Sequence, residues 1–303
     1  MKKSHSTALS FRMKLLPTKS AILHSRFLFS FFLMPVYVFA LGEVNDFDYF
    51  NAFLVFIIWH LFIYPASNGY NSYFDKDEGS IALLETPPPT DKSLYSFSLF
   101  LDFIGILLAC FVGAEFVIAV FIYGLLSKLY SHPSVRLKKY PIISFLVVFI
   151  FQGAFVYWTT YIAISNESLS MLQSTDFILA GFICSCLIGA SYPLTQIYQH
   201  EEDAKRGDKT LSIVLGTNGT LVFAALLFLL ASVLMFVYWR RQAQMENFWI
   251  FLAFIVPVLF VFLNWIIKLQ KDKNQANFKN MSKMTIVSGM AMLGYFLVLL
   301  MIK

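Results

Sequence analysis

The stretch from Tyr64 to Gly79 reads YPASNGYNSYFDKDEG, and the stretch from Tyr192 to Gly207 reads YPLTQIYQHEEDAKRG. They align without a gap at an offset of 128 (192 less 64). Tyr64, Pro65, Tyr70, Asp75 and Gly79 recur as Tyr192, Pro193, Tyr198, Asp203 and Gly207. Ser67, Asn68 and Asn71 return as Thr195, Gln196 and Gln199. Chance likeness between two apolar helices comes from Leu, Phe and Val, whereas here it lies in the polar residues. The stretch therefore reads as one copy of a duplicated unit, each copy ending in a carboxylate-bearing site.

Outward from this pair the chain is apolar. Of 303 residues 58% are hydrophobic and 14% charged, with a mean hydropathy of +0.67. A soluble domain has about 45–50% apolar and about 25% charged residues, so the chain reads as a polytopic membrane protein embedded in a lipid bilayer. A span needs about 20 mostly apolar residues. Nine stretches qualify: 22–42, 47–68, 93–112, 114–130, 141–164, 174–196, 211–238, 247–268 and 284–302. The first is too long for a cleaved signal peptide and eight spans follow it. The net charge of +5 gives no reason to expect a nucleic-acid partner. Cys110, Cys184 and Cys186 sit in apolar runs and suggest neither a metal site nor a disulfide framework.

Lys and Arg set the orientation. With the N-terminus in the cytoplasm, twenty basic residues fall on the inner side, from Lys2, Lys3, Arg12 and Lys14 to Lys283. Only Arg240, Arg241 and Lys303 fall outside. Both matched stretches then end on the cytoplasmic side, after spans two and six. A period of four spans accounts for this. The expected fold is all-α, with nine transmembrane helices in two four-helix repeats plus one, around a central cavity. The expected divisions are a cytoplasmic segment 1–21 and a single domain 22–303, with repeats at 22–140 and 141–270 and a last helix at 284–302. Repeats of this kind commonly enclose a site at their interface. In span six, Gly181, Ser185 and Gly189 form a small-residue ridge suited to close helix packing.

Read as a helix, span two puts His60, Tyr64, Asn68, Asn71 and Asp75 on one face. The matching face of span six is Tyr192, Gln196, Gln199 and Asp203. Such stripes are too costly against lipid and must face protein or a wet cavity. Facing each other, they bring Asp75, Asp77 and Glu78 near Glu201, Glu202 and Asp203. Clustered carboxylates repel unless a cation joins them, and oxygen-only ligands suit Mg2+ or Ca2+ rather than zinc. Mg2+ takes one or two carboxylates and completes its shell with water and phosphate oxygens. With Lys138, Lys205, Arg206 and Lys209 nearby, the constellation suits a diphosphate bridged to protein by Mg2+ at the inner mouth of an apolar cavity. The expected metal ligands are Asn71, Asp75, Asp77, Gln199 and Asp203, with Asp75 and Asp203 catalytic. Asn68 is grouped with the bases as a diphosphate contact. Glu201, Glu202, Asp208 and Glu85 read as solvated loop residues, and His60 as a packing residue. Asp102, alone in the middle of span three, has no legible partner.

At this point the sequence resembles the UbiA superfamily of intramembrane prenyltransferases. The resemblance rests on two Asp-rich motifs after helices two and six. Asn71-Ser-Tyr-Phe-Asp75 matches the core of the first, and Asp203-Ala-Lys205-Arg-Gly207-Asp-Lys209-Thr210-Leu211, continued by Gly216, matches the end of the second. The segment YSHPSVRLKKYP, Tyr130 to Pro141, is similar to the family's loop between helices four and five, which implies that Tyr130 and Lys138 help hold the diphosphate. Two positions depart from the pattern: Gly79 stands where the first motif ends in Asp, and Gln199 where the second begins with Asp. The resemblance implies Mg2+-dependent transfer of an isoprenyl group from an isoprenyl diphosphate to a lipophilic, commonly aromatic, acceptor. The competing readings are a transporter with duplicated helices, a related cyclase, and a non-catalytic member of the same fold.

Overall fold

A computed structural model describes residues 17–82, 84–165 and 167–303. Lys2, Lys3, Arg12, Lys14 and most of the segment 1–21 lie outside the described residues. Among the described residues eight helices are long and apolar enough to cross a membrane, and a bent pair makes a ninth. They are α1 (Lys19–Phe32 and Met34–Glu43, bent by 42°), α2 (Tyr49–Asp75), α3 (Lys92–Ala109), α4 (Ala114–Ser131), α5 (Pro141–Ile164), α6 (Thr175–Arg206), α7 (Leu211–Arg241), α8 (Met245–Lys271) and α9 (Phe278–Ile302). Each falls on one of the nine apolar stretches of the sequence.

The helix starts carry local signals. Asp48 accepts the Asn51 amide at 3.0 Å to open α2, and Asp91, Ser174 and Thr210 do the same for α3, α6 and α7. The bend in α1 falls at Leu33, two residues before Pro35. Proline cannot donate to the preceding turn and crowds its carbonyl, so the helix breaks there.

In the packing, α2 lies on α3 and α4, α6 lies between α5 and α7, and α9 closes the bundle against α1 and α8. With lipid around the bundle, helix association relies on close fit and polar contacts rather than on the hydrophobic effect. The ridge on α6 supplies both. A Cβ on Gly181 would meet the Trp158 ring at 2.2 Å, and one on Gly189 would meet Phe149 at 2.6 Å. Between them Ser185 Oγ accepts the Ala154 amide at 2.9 Å. That amide is available because residues Phe149–Ala154 of α5 form a π turn, which loosens the regular ladder.

Two cavities lie among the described residues. One, of about 610 Å³, lies between α1, α2, α4 to α6 and α7 to α9 and opens where the two matched stretches end. The other, of about 670 Å³, lies at the opposite ends of α1 and α5 to α9.

Candidate active site

The two matched stretches reach the first cavity by different backbone paths. In α2 a π turn, Ile58–Ile63, precedes Pro65, and regular α-helix follows to Asp75. In α6 regular helix runs to Ser191, Pro193 opens a 3₁₀ segment to Gln199, and a last α turn carries His200–Arg206. Each proline leaves the preceding turn one bond short. One stretch answers by widening the helix and the other by tightening it.

This corrects the expected stripe. The wide turn shifts the phase of everything before it by about one residue, or about 100°. Asn68, Asn71 and Asp75 line the cavity, whereas His60, inside the wide turn, does not, and Tyr64, just past it, is buried against Trp59 and Tyr123 instead. His60 is 2% exposed and packs among the rings of Tyr37, Phe56 and Tyr64, as a packing residue would. On the other side Tyr192, Gln196, Gln199 and Asp203 all line the cavity.

Asp77, Tyr130 and Lys138 join them at the same mouth. Asp75 is ion-paired to Lys138, with Arg136 Nη2 at 3.6 Å. Arg206 spans the two matched stretches: one nitrogen pairs with Asp77, the other reaches Asp203 at 2.8 Å, and its Nη1 also donates to the Asp75 carbonyl at 3.3 Å. Asn71 Oδ1 accepts from Ser131 at 2.8 Å, and Gln199 Nε2 donates to the Ser80 carbonyl at 3.3 Å. Tyr130 and Tyr192 share a hydroxyl–hydroxyl bond of 2.6 Å. Asn68 lies one turn deeper, its carbonyl accepting from Arg26 at 3.3 Å. Burial, with Asp75 close by, pushes the Asp77 carboxyl above the usual carboxylate range, against the pull of Arg206.

Two of the expected diphosphate contacts are not brought to the mouth. Lys205 and Lys209 are exposed and line no part of the cavity. In the short turn His200–Arg206 the face toward the cavity carries Asp203 and Arg206, three residues apart, and Lys205 points away. Asp208, read as a solvated loop residue, is 3% exposed. Arg136 grips it with two bonds of 2.7 Å, and that pairing holds the guanidinium charged, with its pKa raised. Sequence reasoning missed Arg136, and the only signal was its place in the segment between Tyr130 and Pro141. Glu202 is likewise engaged. It accepts the Glu78 amide at 3.0 Å, and its carboxylate lies 2.8 Å from where a Cβ on Gly79 would stand. Asp102 has a partner after all: Lys128 of α4 reaches back one turn to it at 2.5 Å, outside the cavity.

Among the described residues no three His, Cys, Asp or Glu side chains converge as a closed metal cage. The donors at the mouth are carboxylate and amide oxygens, a set that suits a hard cation completed by a ligand's phosphate oxygens rather than by protein alone. The mouth thus offers carboxylates for a cation, bases for an anion, and an apolar chamber behind both.

Residues 28–289 match the model of the UbiA prenyltransferase family. In fold the chain is similar to a digeranylgeranylglyceryl phosphate synthase, with a TM-score of 0.62 and 21% identity over 94% of this chain and 99% of that one. It is also similar to a UbiA homologue from Archaeoglobus fulgidus solved with DMAPP and Mg2+, with a TM-score of 0.67 and 15% identity over 94% of this chain and all 100% of the other. The same homologue solved with GPP and Mg2+ gives 0.66 and 15%, over 93% and 99%. No curated protein sequence matches the chain. The family model covers most of the chain and both matched stretches, and the chain belongs to the UbiA prenyltransferase family.

Proposed function

We propose that the protein transfers an isoprenyl group from an isoprenyl diphosphate to a lipophilic or aromatic acceptor within the bilayer, with Mg2+ as cofactor. One observation carries the reading: Asn71, Asp75, Asp77, Gln199 and Asp203 meet Lys138 and Arg206 at a single mouth, with an apolar cavity of about 610 Å³ behind them. Family membership supports prenyl transfer, and homologues solved with DMAPP or GPP and Mg2+ support the donor and the ion.

In this reading Asp75 and Asp203 hold the ion, with Asn71, Asp77 and Gln199 alongside. When bound, Mg2+ supplies Lewis-acid neutralisation of the diphosphate as it leaves. Lys138 and Arg206 turn from their carboxylates to the phosphate oxygens, and Tyr130 and Asn68 add polar contacts. The allylic C–O bond breaks, with its electron pair leaving on the diphosphate oxygen. Tyr123, Phe151, Phe228 and Phe262 line the chamber; they exclude water and present π faces to the allylic cation. The acceptor carbon then attacks, and a proton leaves the acceptor. The motif end of the bundle is the cytoplasmic one, on the charge distribution of the loops. The two halves are copies of one unit, 22–140 and 141–270, on the match at an offset of 128.

The test is direct. Purified protein is incubated with Mg2+ and a labelled isoprenyl diphosphate, with and without phenolic acceptors, and diphosphate release is followed. Release that needs Mg2+, stops on chelation and rises with acceptor is the expected result. Release without acceptor would favour a cyclase, and no release with any donor would overturn the reading.

A further inference from the structure

The two cavities meet at one side chain. Among the described residues Phe296 alone lines both. It is 2% exposed and stacks on Phe39 with ring centroids 4.5 Å apart and planes 18° apart. Phe39 in turn packs on Tyr157 and Tyr238, which line the second cavity. The Phe296 ring, backed by Phe39, is therefore the wall between the two cavities.

The chambers on its two sides differ in chemistry. On the motif side α9 presents Met284, Ser288, Met292 and then Phe296, one per turn, so this wall of the chamber is about 18 Å deep at 1.5 Å per residue. Met292, Ile255 and Val36 line its far end with Phe296. Beyond the wall the lining turns polar. Glu43 is held there by the Tyr238 hydroxyl, and Asn45, Tyr157 and Asp176 line the same space. Hydrocarbon gains nothing by entering it, because it would strip water from carboxylates and hydroxyls without replacing the hydrogen bonds.

From this we infer that Phe296, backed by Phe39, is the specificity-determining residue for donor length: the isoprenyl tail runs from the mouth at Asp75 and Lys138 to this ring and ends there. The inference rests on the prenyl-transfer reading above. Truncating Phe296 to Ala removes the whole ring, a volume close to that of one isoprene unit. Enlarging Met292, one turn nearer the mouth on the same face of α9, shortens the chamber by a similar amount.

The experiment compares wild type, Phe296→Ala, Phe296→Leu and Met292→Phe against allylic diphosphates of two, three, four and five isoprene units. It reads kcat/KM with Mg2+ and, separately, displacement binding of the matching non-transferable thiolodiphosphates. Phe296→Ala is expected to move the preferred donor one isoprene unit longer, changing the ratio between adjacent lengths by about tenfold or more. Phe296→Leu should give an intermediate profile, and Met292→Phe should move the preference one unit shorter. Unchanged length ranking in all the folded variants, with wild type active, overturns the role of the ring and leaves prenyl transfer standing. Wild type that neither binds nor turns over any of these donors overturns the prenyl-transfer reading itself.

Discussion

The stretches ending at Asp75 and at Asp203 align without a gap and share their polar pattern, yet they reach the site differently. The first arrives as regular α-helix behind a wide turn, and its acids are held from elsewhere: Asp75 by Lys138 and Arg136, Asp77 by Arg206. The second arrives through a tight 3₁₀ segment, and Asp203 is held by Arg206 three residues on in its own turn. Similar side chains on dissimilar backbone teach that the shared proline decides that the helix must deform, while the neighbours decide how. In α6 the tightened segment begins just past the ridge of Gly181, Ser185 and Gly189 that packs on α5.

The severest way to break the comparison is to remove either acid. Asp75→Ala and Asp203→Ala are each expected to lower turnover about a hundred- to a thousandfold, the range for losing a group that stabilises leaving-group charge, with the fold intact by circular dichroism. Near-normal turnover in both would sink the assignment of the pair. Next comes Arg206→Ala, which removes the residue joining the stretches and leaves Asp77 and Asp203 short of a partner. Breaking such a partly buried pair costs about 3–5 kcal/mol. The loss should appear in chelator and shrink when millimolar Mg2+ is present, as thermal unfolding in detergent will read; equal loss in both conditions would count against a cation at these acids.

A smaller effect belongs to the second stretch's side alone. Gly216, in the opening of α7, holds φ 66° and ψ 171°, a conformation close to glycine-only. Its carbonyl accepts from Thr220 at 2.8 Å. Gly216→Ala should cost about 1–3 kcal/mol of stability, checked by the same unfolding measurement. The smallest change is expected at the exposed bases. Lys205→Ala and Lys209→Ala should each alter kcat/KM less than about twofold, as surface substitutions do to stability, while Lys138→Ala in the cavity costs far more. A large loss at Lys205 would mean that the last turn of α6 rotates when donor binds.

The spans were legible because each is a long apolar run with few charges, and the motif face was legible because a polar pattern seldom recurs at a fixed offset by chance. The partners of the acids were legible in part: Lys138 and Arg206 read as nearby bases, but Arg136 did not, and which base meets which acid was out of reach. These bases lie some 60 to 130 positions from Asp75 and Asp77, and no periodicity links them. The phase of short turns was also out of reach: one residue decides whether Arg206 or Lys205 faces the mouth, and a 3₁₀ segment or a π turn changes that count. Asp102 seemed solitary because its partner, Lys128, lies across the hairpin from α3 to α4 and one turn toward the mouth. Asp208 looked like a loop acid because nothing in its neighbourhood marked Arg136 as close.

The bonds at the mouth carry one further consequence, in charge balance. Asp75, Asp77, Asp203 and Asp208 face Arg26, Lys138 and Arg206 around the opening, and Arg136 joins them through Asp75 and Asp208. Glu202, 3.7 Å from Arg206, adds a fifth acid, so five acidic side chains meet four basic ones. A multiply charged anion entering it finds no surplus of positive charge. It must bring its own counter-ions, and each cation it brings frees one of the side-chain bases to turn toward it.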